Sequence, residues 1–211
     1  MTMPEPGTDS FLPTRQSLLS RLRDCGNDVG WREFFETYWR LIYNVARKSG
    51  LADAEAQDVV QNTFIYLTRK MPKFRYDPAR GSFKSWLRVI TRSRISVQRR
   101  QADPGLLIRE PWTDGEGELA LEQIPDPSGD ALDEVWQREW EENLLETALR
   151  RVRTKVSAQH LLIFRLATLN GLPLTQVAKK LGVSVPQVYL ARHRVGKVFK
   201  AEVAQLRRET E

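Results

Sequence analysis

The whole imidazole and thiol complement of the 211 residues is His160, His193 and Cys25. No Cys/His pair has metal-ligand spacing, and neither a phosphate-cradling glycine loop nor a nucleophile motif occurs. His160 stands in SAQHLLIF, at the start of a helical pattern, and the acid pair Glu141-Glu142 falls on a polar helix face. These residue types predict no intrinsic catalysis, no metal and no cofactor. The chain is rich in cationic side chains instead. From Arg80 to Arg100 there are seven Lys or Arg and no Asp or Glu. Within that segment, GSFKSWLRVITRSRISVQRR (81–100), Trp86, Val89 and Ile90 recur at helical spacing. Its apolar face would fix the helix to a core. Its other face, with no acid in the segment to neutralise it, suits a polyanion.

The same contrast extends along the chain. Residues 1–102 carry 18 basic and 10 acidic groups (net +8), and residues 103–146 carry 2 and 14 (net −12). Residues 150–211 carry 13 and 3 (net +10), within an overall charge of +6 and a pI of about 9.6. Two basic blocks around an acidic stretch suggest two modules touching one polyanion. A single cysteine allows no intrachain disulfide and points to a reducing compartment. The start MTMPEPGTDSFLPTRQ lacks an apolar core of signal-peptide length, and no apolar run approaches the roughly 18 residues of a membrane span. The expectation is a soluble, cytoplasmic protein without membrane contact.

The elements that would position these residues are all helical. A Pro- and Gly-containing tail over residues 1–16 is expected to be disordered. SLLSRL opens the helical pattern, and WREFFETYWRLIYNVARKSG continues it, with Phe34 or Phe35, Tyr38, Leu41, Ile42 and Val45 on the apolar face. Asp53 is expected to cap the next helix, AEAQDVVQNTFIYLTRKM. Val60, Phe64, Leu67 and Met71 give that helix a core stripe, and Asp58, Gln61, Ile65 and Arg69 share a second face. PKFRYDPARGSF reads as a loop, and Ser82 as the cap of the basic helix. In that helix Trp86 could stack on an unpaired base, but its spacing with Val89 and Ile90 favours the core. Residues 103–131, acidic and broken by Pro and Gly, read as a linker, after which helical pattern resumes through EVWQREWEENLLETALRRV. The expected architecture is all-α, with helical domains over 17–102 and 132–211.

The segment LPLTQVAKKLGVSVPQVYLARHRVGKVF has helix-turn-helix spacing. Thr175 to Leu181 forms the first helix, with Val177, Ala178 and Leu181 inward. Gly182 supplies the tight turn, Val183 plugs it, and Ser184 caps the second helix. Val188, Ala191 and Val195 form the buried seam of that helix. Gln187, Tyr189, Leu190, Arg192, His193, Arg194 and Lys197 are left on its outer surface, the arrangement of a helix that enters the DNA major groove. A helical hairpin with a solvated basic face would show the same pattern.

Taken together these residues resemble the extracytoplasmic-function sigma factors, small members of the sigma-70 family that give bacterial RNA polymerase its promoter specificity. DAEAQDVVQNTFIYLTRKMPKFRYDPARGSFKSWLRVITRSR is similar to region 2, through Asp58-Val-Val-Gln61-x-Thr63-Phe64, Phe74-Arg75 and Ser82-Phe83-x-x-Trp86-Leu87. GLPLTQVAKKLGVSVPQVYLARHRVGKVF is similar to region 4.2. The resemblance spans about 30–101 and 139–205, in the family's order. It implies that Asp58, Gln61, Ile65 and Arg69 dock on core RNA polymerase. It implies that the loop from Lys73 to Phe83 and the helix after it hold the −10 element of promoter DNA as an opened strand. Lys84, Arg88, Arg92 and Arg94 would then meet phosphates, and Ser93 would lie near the captured base. Many members have Arg-Asn where this chain has Arg92-Ser93, so a single hydroxyl replaces a two-ended amide. The −35 element would be read by Gln187, Tyr189, Leu190, His193 and Arg194, with Arg192, Lys197 and Lys200 on phosphates. Tyr189 and Leu190 replace the family's common Lys or Arg and Ser, which shifts readout toward apolar contact such as thymine methyls. Many members are held inactive by an anti-sigma factor, a possible third partner. The acidic linker either imitates nucleic acid in a basic polymerase channel or serves as a tether.

The alternative function is a stand-alone helix-turn-helix regulator whose N-terminal domain senses a ligand. Such a sensor needs a concave apolar pocket, whereas the N-terminal block here is densely basic.

Overall fold

The computed structural model describes residues 15–24, 26–73, 82–102 and 129–210. The N-terminal tail, Cys25, most of the loop before the basic helix and the acidic linker up to residue 128 lie outside them. Every regular element among the described residues is helical, as the periodicity predicts. The order is α1 (Arg15–Leu22), α2 (Asp28–Lys48), α3 (Asp53–Lys70), α4 (Phe83–Ala102), α5 (Gly129–Arg153), α6 (Ala158–Phe164), α7 (Leu174–Leu181) and α8 (Val185–Thr210). A 3-10 turn over Met71–Lys73 follows α3, and a π-helical turn over Arg165–Leu169 extends α6.

The helix starts show how local chemistry sets the boundaries. Asn27 caps α2, its side-chain oxygen accepting from the Gly30 amide at 2.9 Å. Ser82 caps α4, accepting from the Ser85 amide at 3.2 Å. Asp53 does not cap α3. Ala52 holds that position, the Glu55 carboxylate accepts its amide at 2.6 Å, and the Asp53 carboxylate accepts from the Tyr43 hydroxyl and from Gln57. A carboxylate three residues into the helix can reach back to the cap amide, so a cap side chain is dispensable here.

Helices α2, α3 and α4 surround one apolar core. Phe34, Tyr38, Leu41, Ile42 and Val45 enter it from α2, Val59, Val60 and Leu67 from α3, and Phe83, Trp86, Leu87 and Ile90 from α4. Trp86 is 6% exposed, which settles its role as a core residue. Leu19 and Leu22 of α1 join this core, and a further wall comes from a distant part of the sequence. Leu132, Trp136 and Trp140 of α5 are buried in it, Trp140 stacked on Tyr38 at 6.2 Å and Trp136 against Trp140 at 5.7 Å.

The second half of α5 serves a different core. Leu144 and Ala148 pack with Leu206 and Phe199 of α8, and Val152 packs with Phe164 and Val195. A third cluster, Ile163, Ala167, Val177, Ala178, Val188 and Ala191, closes the α6–α7–α8 unit. The buried apolar positions of α5 recur every four residues from 132 to 152, with Glu139, Asn143 and Thr147 buried beside them. Each step of four turns about 40° around a helix of 3.6 residues per turn. Over those five steps the apolar stripe therefore winds by roughly 200°, so the two ends of one helix bury opposite faces and can join two cores.

Candidate polymerase and nucleic-acid surfaces

The first candidate surface lies on α3. Asp58, Gln61, Ile65 and Arg69 are all exposed, within an arc of about 80° at 100° per residue. Ile65 is 40% exposed, an apolar group with water on it. Beside this face stands an aromatic cluster that periodicity left ambiguous. Phe34 is buried, whereas Phe35 is 43% exposed, with its ring 4.9 Å from Phe64 and stacked at 6.2 Å on Trp39. The arc thus adjoins an apolar shelf, and the signal for it was the adjacent pair Phe34-Phe35, of which only one can face inward.

The second surface is the basic face of α4. Lys84, Arg88 and Arg92 follow one another at four-residue steps, within about 80° of arc. Arg94 does not join them. It lies about 80° to the other side of Lys84, with its guanidinium 4.3 Å over the Tyr66 ring of α3, and burial raises the Tyr66 hydroxyl above its ordinary value. Ser93 is half-buried and lies about 100° beyond Arg92. The stripe is thus three cations, not four.

These cations do not lack partners outside their own segment. Asp133 of α5 accepts from Arg88 at 3.0 Å, and Gln137 accepts from Lys84 at 2.6 Å. The Lys84 ammonium also sits 5.8 Å from the Trp140 ring. Burial holds Arg92 below its ordinary pKa, Asp133 opposes that shift and Arg88 reinforces it. The stripe is legible in the sequence and its cover is not, because the residues that meet it lie 45 and 53 positions downstream. Their trace is the helical spacing of Asp133, Gln137 and Trp140.

The third surface is the outer face of α8. Helix α7 ends at Gly182, whose φ of +65° lies in the left-handed region that only glycine enters cheaply. Val183 packs on the third cluster, and Val188, Ala191 and Val195 are buried, so the turn and seam stand as the spacing predicts. Gln187, Tyr189, Leu190, Arg192, His193, Arg194 and Lys197 are all exposed, Tyr189 by 58% and Leu190 by 51%. Gln187 is partly committed. Its side-chain oxygen accepts from the Ser184 amide at 2.9 Å, while Ser184 Oγ accepts from the Gln187 amide at 3.4 Å. That reciprocal cap leaves only the Gln187 side-chain nitrogen for another partner.

Among the described residues no three His, Cys, Asp or Glu are grouped to hold a metal ion, and no helix is long and apolar enough to cross a membrane.

Comparison with known proteins addresses the α2–α4 unit. Residues 34–104 match the family model of sigma-70 region 2. No curated protein sequence matches the chain. A solved structure, that of CnrH in complex with the cytosolic domain of CnrY, resembles it at 19% identity, covering 90% of this chain and 96% of that one, with a TM-score of 0.36. The matched region begins in α2, runs through α3 and ends with α4, and over that stretch the chain is similar to sigma-70 region 2.

Proposed function

We propose that the chain is an RNA polymerase sigma factor of the extracytoplasmic-function type. It binds core polymerase through Asp58, Gln61, Ile65 and Arg69, holds the opened −10 strand on Lys84, Arg88 and Arg92, and reads the −35 element with the outer face of α8. One observation supports this reading: a stretch similar to sigma-70 region 2, residues 34–104, is followed by a helix-turn-helix at 174–210 whose outer-face residues on α8 are all exposed. A stand-alone regulator has no use for region 2. The domains proposed with this function are 17–102 for core and −10 binding and 132–211 for −35 binding, joined by the acidic segment 103–131.

The chemistry is division of labour. Cations on phosphates supply sequence-independent affinity that falls with salt. Exposed Tyr189, Leu190 and His193 supply base discrimination, through apolar contact and a single imidazole. Promoter opening needs both the −10 and −35 contacts at once, and core polymerase holds the geometry. The test is gel filtration of the chain with core polymerase at moderate salt, followed by run-off transcription from a genomic library with start-site mapping. Co-elution and a shared promoter pattern are expected, and failure to co-elute would end this reading. An anti-sigma factor, if the chain has one, would compete with core in the same assay.

A further inference from the structure

The first turns of α8 present an outer face that is apolar at its centre and cationic at its edges. Val188, Ala191 and Val195 turn into the cores beneath. At 100° per residue, Pro186, Tyr189, Leu190 and His193 fall within about 100° of arc on the opposite side. All four are exposed, and Val185 beside them is 39% exposed. Arg194 stands about 40° beyond Leu190 and Arg192 about 60° beyond Tyr189, so one exposed cation lies on each flank. Gln187 also lies at the edge, about 60° beyond Leu190, with its side-chain oxygen spent on the Ser184 amide. The centre of the face therefore has only the Tyr189 hydroxyl and the His193 imidazole for hydrogen bonding.

That composition limits what the face can read. A guanine edge is read best by a bidentate Arg or Lys, and an adenine edge by a bidentate Asn or Gln. No such side chain stands at the centre of the first turns, the part of a recognition helix that meets base edges. The feature of the major groove that apolar side chains do distinguish is the methyl group on C5 of thymine. The flanking arginines give the face the charge complementarity that a duplex needs, whose phosphates run on either side of the groove.

We propose that the outer face of α8 is a reader of pyrimidine 5-methyl groups. Tyr189 and Leu190 each cover one such methyl in the −35 element, and a cytosine methylated at C5 regains there the contact that plain cytosine lacks. The proposal rests on the reading of α8 as the −35 surface and names the group that surface recognises. Recognition of this kind makes promoter choice sensitive to C5 methylation of DNA. Burial of one methyl is worth about fourfold in affinity, so two together give about tenfold or more.

The test selects duplexes from a randomised pool with the full chain, alone and together with core polymerase. The preferred duplex is then remade with uracil for thymine, a change that removes only the 5-methyl group. Uracil should weaken binding about tenfold. Replacing the responsible thymines by cytosine should also weaken it, and 5-methylcytosine at the same positions should bind about threefold tighter than cytosine. Tyr189→Ala with Leu190→Ala should bring the thymine and uracil duplexes within about twofold of each other. Tyr189→Phe, which keeps the ring and drops the hydroxyl, should retain the discrimination. Equal binding of thymine and uracil duplexes, no gain from 5-methylcytosine, discrimination that survives the double alanine variant, or its loss in Tyr189→Phe would each overturn the methyl reader. Selection of no duplex, with or without core, would overturn it too. If the chain joins core and starts transcription at a shared promoter pattern while thymine and uracil bind alike, the sigma function stands and the methyl reader falls. If the isolated chain discriminates uracil but never joins core, the methyl reader stands and the sigma function falls.

Discussion

Trp86 shows how a residue that could serve nucleic acid is claimed by the core instead. Its ring lies 5.5 Å from Phe83 and is 6% exposed, so no base can stack on it without unpacking α4. Trp86→Ala should lower unfolding stability by about 3–5 kcal/mol, the range for large aromatic truncations in a core. Urea denaturation measures it, and a loss below about 1 kcal/mol would mean the ring is not a packing element. Lys48 carries a second prediction. The hydrogen bond to Glu139 holds its pKa above the ordinary 10.5, with burial opposing. Tyr43 is raised in the same way by its hydrogen bond to Asp53. A group whose folded pKa is raised adds stability that is complete below its unfolded value and is lost as pH rises through the folded one. Stability should therefore fall at alkaline pH, from about 10 for Tyr43 and about 10.5 for Lys48, and Glu139→Gln should flatten the Lys48 part of that fall. Thermal melting between pH 9 and 12 would show whether the two curves converge.

Gly182 ends α7 in the left-handed region. At Gly182 an added Cβ would meet nothing within 4 Å, so the only penalty for Gly182→Ala is the left-handed backbone. That penalty is about 1–2 kcal/mol. Gly182→Asn should recover part of it, because a short polar side chain tolerates this region better. Equal melting of the Ala and Asn variants would show that the turn relaxes to another conformation. Helix α5 is the element that sequence patterning described least well. A helix with one apolar face repeats at three and four residues, and its stripe stays on one side. The four-residue repeat of Leu132, Trp136, Trp140, Leu144 and Ala148 winds around the axis instead. Read in a short window it marks a helix, but it does not say that the two ends serve different cores.

Across the whole molecule α5 brings part of the acidic block against both basic regions. Its acids reach cations in both basic regions: Asp133 to Arg88, Glu139 to Lys48 and Glu146 to Arg40 on one side, and Glu141 to Arg207 on the other. The exposed pairs contribute little each, but together they orient the acidic helix along its basic neighbours. The proposed surfaces should be separable. Asp58→Ala with Ile65→Ala should weaken core co-elution about tenfold or more, equivalent to about 1.4 kcal/mol, and leave −35 discrimination intact. Tyr189→Ala with His193→Ala should do the reverse, as read by core titration and by binding to base-substituted −35 duplexes. Loss of both activities in either variant would mean that the surfaces are not independent. From sequence alone the helical class, the core faces of α2, α3 and α4, the turn at Gly182 and the exposed face of α8 were all determined. Each of these depends on neighbours within one or two helical turns, where residue spacing fixes geometry. Three features were decided only by tertiary structure: the parting of Arg94 from the cationic stripe, the exposure of Phe35 against Phe64, and the contacts of Lys84 and Arg88 with α5. In each, the deciding contact comes from another helix, and no local spacing specifies which distant segment will supply it.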